Sequence, residues 1–234
     1  MNKQCKLIIV GDSSFAQIAY EYFTHDSNYS VVAFSVEKKY LNQKELFGLP
    51  VVPFENLPDL YNPNEHAVYV AVVYAQLNRL RSRLYARVKK YGYEIASYIS
   101  SKAFVWPNVR LGEHCFIFEN NVIQPFVSIG NNNVFWSGNH IGHHTTIGDN
   151  CFVASHVVIS GHCKVGNNCF FGVNSTVSNN ISISDDSVVG ASAVVMRDIL
   201  EPGCVYKGVV SKSALVSSYK IFDIENVDLN DEVD

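Results

Sequence analysis

From Val105 to Val195 every sixth residue is apolar, sixteen in succession without a break. With 47% of the chain hydrophobic, chance gives such a run about once in 10⁵ trials. Six is neither the 3.6-residue period of a helix nor the 2-residue period of a strand. It is a signature of parallel β-helices, whose short repeats stack on one another.

The other hexad positions agree. Glycine follows the apolar residue at Gly112, Gly130, Gly142, Gly148, Gly166, Gly172 and Gly190. This predicts corners whose backbone dihedrals other residues reach only with strain. The fifth position is mostly small, as at Cys115, Thr145, Cys151, Cys163, Cys169 and Ser175. Cysteines spaced by multiples of six lack the short pairs typical of zinc sites. They read as buried thiols filling a small interior position.

Residues 5–97 follow another pattern. "CKLIIVG" (5–11) is an apolar strand ending in glycine, and "SSFAQIAYEYF" puts Phe15, Ile18, Ala19, Tyr22 and Phe23 on one helical face. Ser13 or Ser14 suits the N-cap. "YSVVAF" (29–34) and "HAVYVAVVY" (66–74) read as buried strands, "LNRLRSRLYARVKKYG" (77–92) as a basic amphipathic helix, and "YEIASYI" (93–99) as a last strand. Strands alternating with helices predict a small parallel α/β domain.

The pattern [LIV]-G-x-x-[STAVC]-x resembles that of the hexapeptide-repeat acyltransferases. Residues 1–215 as a whole resemble the sialic-acid O-acetyltransferase and bacterial nucleotide-amino-sugar N-acetyltransferase family. The resemblance implies a small Rossmann-like domain (1–98), a left-handed parallel β-helix of about five coils (99–215) and homotrimers. Residues 216–234 are expected to be an acidic tail, largely disordered or weakly docked. Residues 18 apart would stack at about 4.8 Å. The irregular segments 98–104 and 196–217 would cap the exposed coil ends.

The resemblance also assigns ligands. The first turn and the end of the second strand hold the nucleotide-sugar, which places it at Ser13, Ser14 and Phe15 and at Val36 and Glu37. The turn here is "GDSSFA" (11–16), where the family has G-x-S-G-H-G, and "SVE" (35–37) replaces paired acids. Arg81 is the nearest match to a family arginine. It could neutralise a phosphate, or be one more solvated charge beside Arg79, Arg83 and Arg87. Acetyl-CoA would lie along the β-helix edge between subunits, against Phe152, Gly161, Val173 and Ala191. The family's terminal G-V-P-A-K becomes "GVVSK" (208–212).

The stretch "NHIGHHTTIGDN" (139–150) holds three of the eight histidines. Acyl transfer from a thioester needs a base for the attacking group and a donor for the developing oxyanion. "IGHHTTIG" matches the family pattern [IV]-x-H-[DE]-x-x-[IV]-G, which makes His143 the base and puts His144 where the family has an acid. The Gly161 N–H, one coil on, would face the thioester oxygen. His143 as a surface residue or a metal ligand stays open. His114, His140 and His156 read as surface or interface residues, and His162 would stack over His144.

The net charge of −4 argues against a nucleic-acid partner bound through a basic footprint. No apolar run approaches membrane-spanning length and no leader pattern stands at the start, so a cytoplasmic protein with free thiols is expected. The expected function is acetyl-CoA-dependent N-acetylation of a nucleotide-linked amino-deoxysugar for surface glycan synthesis, without a metal. Sugar or sialic-acid O-acetylation, a γ-carbonic-anhydrase-like zinc enzyme and a non-catalytic binding protein are the alternatives.

Overall fold

The computed structural model describes residues 5–209 and 215–221. The front sheet is built from β1 (Cys5–Val10), β2 (Tyr29–Val36), β3 (Glu45–Leu46), β4 (Leu49–Pro53), β5 (His66–Val70) and β6 (Glu94–Ile95), in the order β3-β4-β2-β1-β5-β6. All neighbours are parallel except β3 and β4. Those two form a hairpin at Phe47 and Gly48, both with positive φ, the twist that two-residue hairpins favour. Helix α1 (Ser14–His25) packs Phe15, Ala16, Ala19 and Phe23 inward. Ser13 is its N-cap, but the hydroxyl makes no cap bond. A one-turn helix α2 (Leu57–Leu60) precedes β5, and α3 (Arg79–Lys90) follows it. The expected strand 66–74 ends at Val70, and the expected strand 93–99 is two elements. Glu94–Ile95 closes the front sheet, whereas Tyr98–Ile99 already pairs with Phe116–Ile117 in the next domain.

From Tyr98 onward the chain winds as a parallel β-helix of two-residue strands and four-residue corners. Strands pair with those 18 residues away, as His140 does with Val122 and Val158. Three flat faces result, and the coil is left-handed. The inward residue of each strand is the hexad's apolar residue. Ile117, Ile123, Phe135, Ile141, Ile159, Phe171, Val177 and Val189 are all fully buried. Each such side chain contributes about 1.5–3 kcal/mol on leaving water. The small fifth-position residues fill the interior of the corners, and Cys115, Cys151, Cys163 and Cys169 are indeed buried free thiols.

The corners correct one expectation. The glycines after the apolar residue do not adopt positive φ; that conformation falls two residues later, at every sixth position from His114 to Ser192. Asn120, Asn132, Asn150, Asn168, Asn174 and Asn180 occupy it, as do His114, His144, His156 and His162. Asparagine and histidine tolerate this region better than most side chains. The preceding glycines answer to close approach instead: a Cβ on Gly142 would stand 2.5 Å from Gly161 N and Ser160 C.

The three faces differ outside. The first, through Phe116, Val134, Phe152 and Phe170, is covered by α1 and the front sheet; Phe15 and Phe23 pack on Phe116. The second presents Phe104, Val122, His140, Val158, Thr176 and Val194, and the third presents Arg110, Ser128, Thr146, Lys164 and Ser182. Residues 210–212 of "GVVSK" and 222–234 of the acidic tail lie outside the described residues. Among the described residues no helix is long and apolar enough to cross a membrane.

Candidate active site

His143 and His144 sit on the corner between the second and third faces. The His143 backbone N–H donates to Gln124 Oε1 at 2.9 Å, which anchors it to the coil below. Its imidazole Nδ1 lies 3.1 Å from Nδ1 of His144. One of the two nitrogens must carry the proton. With His143 as donor, its Nε2 keeps a lone pair and is fixed in orientation. A Cβ on Gly161 would stand 2.8 Å from His143 Cε1 and 2.9 Å from Nε2, so glycine at 161 leaves room for the ring. The Gly161 N–H, however, donates to Asn179 Oδ1 at 3.0 Å. With Asn179 accepting from it, this N–H is not free for an oxyanion, which corrects the simple form of that expectation. Asn179 obeys a local rule: Asn131, Asp149, Asn167 and Asp185 likewise accept the N–H of the residue 18 before. His162 joins this corner, its ring stacked on His144 at 4.8 Å and 16°.

A cavity of about 690 Å³ opens between α1 and the β-helix. It brings Ser13, Ser14 and Phe15 together with Phe152, Val173 and Ala191, two sets expected to hold different ligands. Tyr74, Trp136 and Phe170 complete an aromatic wall that sequence reasoning missed. Phe152 and Phe170 stack at 5.5 Å, with Tyr74 edge-on to both. The signal was present as aromatics outside the apolar register, 18 apart on one face. Phe15 and Phe152 are themselves 3% and 4% exposed, so they offer walls rather than arms. A second cavity of about 300 Å³ is lined by Gly11, Asp12, Ser13, Val36, Glu37 and Tyr40, among others. Glu37 there is clamped by both guanidinium nitrogens of Arg83, at 2.8 and 2.9 Å, which holds its carboxyl below the usual range.

Arg81 is placed otherwise than expected. It is neither a phosphate ligand nor a solvated charge, because it is fully buried. Nε donates to Asn132 Oδ1 at 2.7 Å, Nη1 to Val70 O, and Nη2 to Tyr69 Oη and His114 O, both at 3.1 Å. His114, expected at the surface, is fully buried in the same knot. It accepts the Val70 N–H on Nε2 at 2.8 Å, and its Nδ1 lies 2.6 Å from Asn132 Oδ1. Burial, with Arg81 beside it, keeps this imidazole neutral, its pKa well below the ordinary value. Asn78 extends the link to Asn150 O at 2.6 Å. These residues lock the front domain onto the β-helix.

His143 and the two cavities therefore occupy different corners of one chain. The large cavity borders the corner between the first and second faces, and His143 the corner between the second and third. The second face lies between them.

The family described as "Bacterial transferase hexapeptide (six repeats)" matches residues 126–161, and "Hexapeptide repeat of succinyl-transferase" matches 163–197. Perosamine N-acetyltransferase from Caulobacter crescentus, solved with CoA and GDP-perosamine, is 26% identical, with a TM-score of 0.78 over 88% of this chain and 96% of that one. The chain carries hexapeptide repeats and is similar to the hexapeptide-repeat sugar acetyltransferases. Two further structures share its fold. The acetyltransferase domain of PglB from Neisseria gonorrhoeae is 19% identical, with a TM-score of 0.77 over 87% of this chain and 96% of that one. WeeI from Acinetobacter baumannii is 19% identical, with a TM-score of 0.63 over 83% and 93%. Among curated proteins none matches the sequence.

Proposed function

We propose that this chain transfers an acetyl group from acetyl-CoA to the amino group of a nucleotide-linked amino-deoxysugar, in the synthesis of a bacterial surface glycan. The likeness to an N-acetyltransferase that holds CoA and GDP-perosamine supports the reaction class. Structures of that relative include a histidine-to-asparagine and a histidine-to-alanine variant, each with both ligands bound. The observation that carries the reading is the His143 imidazole, held through Nδ1 by His144 and cleared of any side chain at Gly161.

Bound acetyl-CoA would supply the acyl group as an activated thioester. His143 Nε2 removes the proton of the attacking amine, and His144 keeps the ring in the tautomer this requires. Asn179 Oδ1 holds the position of an acceptor at the Gly161 N–H. The acyl oxygen would take that place as charge develops on it. No acyl-enzyme is invoked: the buried Cys115 and Cys163 thiols are poor nucleophiles. Burial pushes Cys115 up to about 11 and raises Cys163. His144 is an acceptor without charge, so it assists the base less than a carboxylate would. An amine needs less assistance than a hydroxyl, which favours N- over O-transfer.

The walls of the large cavity fit an extended, partly apolar arm at Phe152, Val173 and Ala191, and Ser13, Val36 and Glu37 offer polar and apolar edges to the nucleotide-sugar. A single chain keeps His143 one face away from them. The second face exposes Phe104 (52%), Val158 (36%) and Val194 (65%), where the third face is polar. Three copies packed around an axis beside the second face bring one copy's histidine corner to its neighbour's cavity corner. The site is then shared across a homotrimer.

Thiol release from acetyl-CoA is measured against nucleotide-linked amino sugars and sialic acid, for wild type and His143→Ala. Turnover of an amino sugar, reduced about 10²–10⁴-fold in the variant, is the expected result. Turnover of sialic acid alone moves the reading to O-transfer, and failure to bind acetyl-CoA overturns it.

A further inference from the structure

His144 and His162 occupy equivalent left-handed corner positions one coil apart, with φ of 58° and 59°. Their rings form a stack that begins on Phe126, 4.6 Å below His144. His143 stands edge-on to both, at 87°. One ring nitrogen from each histidine lies within 4.8 Å of the other two. Among the described residues this is the one gathering of three such side chains. Left-handed corners alone do not account for it. His114 and His156 sit at such corners without forming a trio, and His143 is not at one.

We infer that His143, His144 and His162 form a site for a zinc-class divalent ion, and that its occupancy switches the base off. Imidazole nitrogen suits Zn²⁺, Ni²⁺ and Cu²⁺. A tetrahedral ion with bonds of about 2.0–2.1 Å holds its ligand atoms roughly 3.4 Å apart. The two Nδ1 atoms are already at 3.1 Å. All three side chains are exposed, so small rotations bring in the third nitrogen and leave a fourth position open. Coordination through His143 Nδ1 requires that atom to be unprotonated, and the neutral ring then carries its proton on Nε2. That is the atom whose lone pair removes the amine proton. The inhibitory half of the inference rests on the function proposed above; the ion site does not.

The test compares metal-free wild type with His162→Asn. Asparagine already fills the same backbone position at Asn168, Asn174 and Asn180, so the variant keeps the corner. ZnCl2 is titrated calorimetrically into each, and thiol release is followed at each zinc concentration. The expected result is one Zn²⁺ per wild-type chain, weakened in the variant by at least the ~10–100-fold that loss of even an outer partner costs. Zinc then inhibits wild-type turnover, reversibly with EDTA. The variant turns over normally without zinc and needs about tenfold more to be inhibited. Equal zinc binding by the two proteins, or none by wild type at millimolar zinc, overturns the site. Zinc bound at these histidines without loss of turnover overturns the inhibition alone. Zinc binding lost in the variant of a protein without acetyl transfer supports the site and overturns the proposed function instead.

Discussion

The Nδ1 atoms of His143 and His144 lie 3.1 Å apart, so one imidazole accepts from the other where related enzymes are expected to place an acid. A neutral acceptor orients the base but does not stabilise the imidazolium it becomes. His144→Asn is expected to lower kcat about tenfold or more, with little change in KM. His144→Asp, which suits this left-handed position as Asp186 does, is expected to match or exceed wild type. Steady-state kinetics of the two variants checks the pair, and equal rates in both would remove His144 from the mechanism.

Asn179 competes for the donor that the acyl oxygen is proposed to use. A neutral hydrogen bond is worth about 1 kcal/mol net, roughly fivefold in affinity. Asn179→Ala is therefore expected to lower the KM for acetyl-CoA by about that factor. An unchanged KM would mean that the Gly161 N–H does not receive the acyl group.

Gly161→Ala places a methyl 2.8 Å from the His143 ring. The imidazole must shift, and a displacement near 1 Å is expected to cost about 10²-fold in rate. Thermal denaturation of the same variant separates this from unfolding, since Gly161 lies at a corner and not in a strand.

His114 links stability to pH. Unfolded, it takes a proton near its ordinary pKa of about 6.5; folded, it stays neutral to much lower pH. Below about pH 6.5 the unfolded chain thus binds more protons, and stability falls by up to ~1.4 kcal/mol per pH unit. Glu37 and Glu113, held down by Arg83 and Lys89 respectively, lose their contributions only lower, through pH 4. His114→Asn is expected to be less stable at pH 7 but to lack the slope between pH 6.5 and 5. Urea midpoints across that window decide it.

Val158→Glu puts a charge near the centre of the exposed second face, between His140 and Thr176. Sedimentation is expected to show trimers for wild type and monomers for the variant, with turnover lost. An active monomer would contradict a shared site.

The β-helix was legible because one residue in six must point inward, whatever its neighbours do. The corner glycines were legible as positions but not as causes: the collision of a Cβ on Gly142 with Gly161 N involves the next coil. The recurrent Asn and His two residues later carried the backbone signal and went unread. In the front domain β3, β4 and α2 were missed, being short and broken by Pro50, Pro53 and Pro58. Arg81 looked like its neighbours on α3 because the groups that bury it, His114 and Asn132, belong to the other domain. The 18-residue period made the stacking of His162 on His144 legible, but not the edge-on turn of His143 toward both rings, which depends on side-chain rotamers.

The 18-residue pairing between His140 and Val158 also limits how such a chain can change its length. Loss of a single hexad ahead of His143 would turn its corner by one face and carry the histidine off the edge where it now stands. Loss or gain of a whole coil shortens or lengthens the prism and leaves every later residue on its own face. Insertions and deletions in this domain are thus phase-locked: they are tolerated in units of three hexads, and any other length must loop out at a corner.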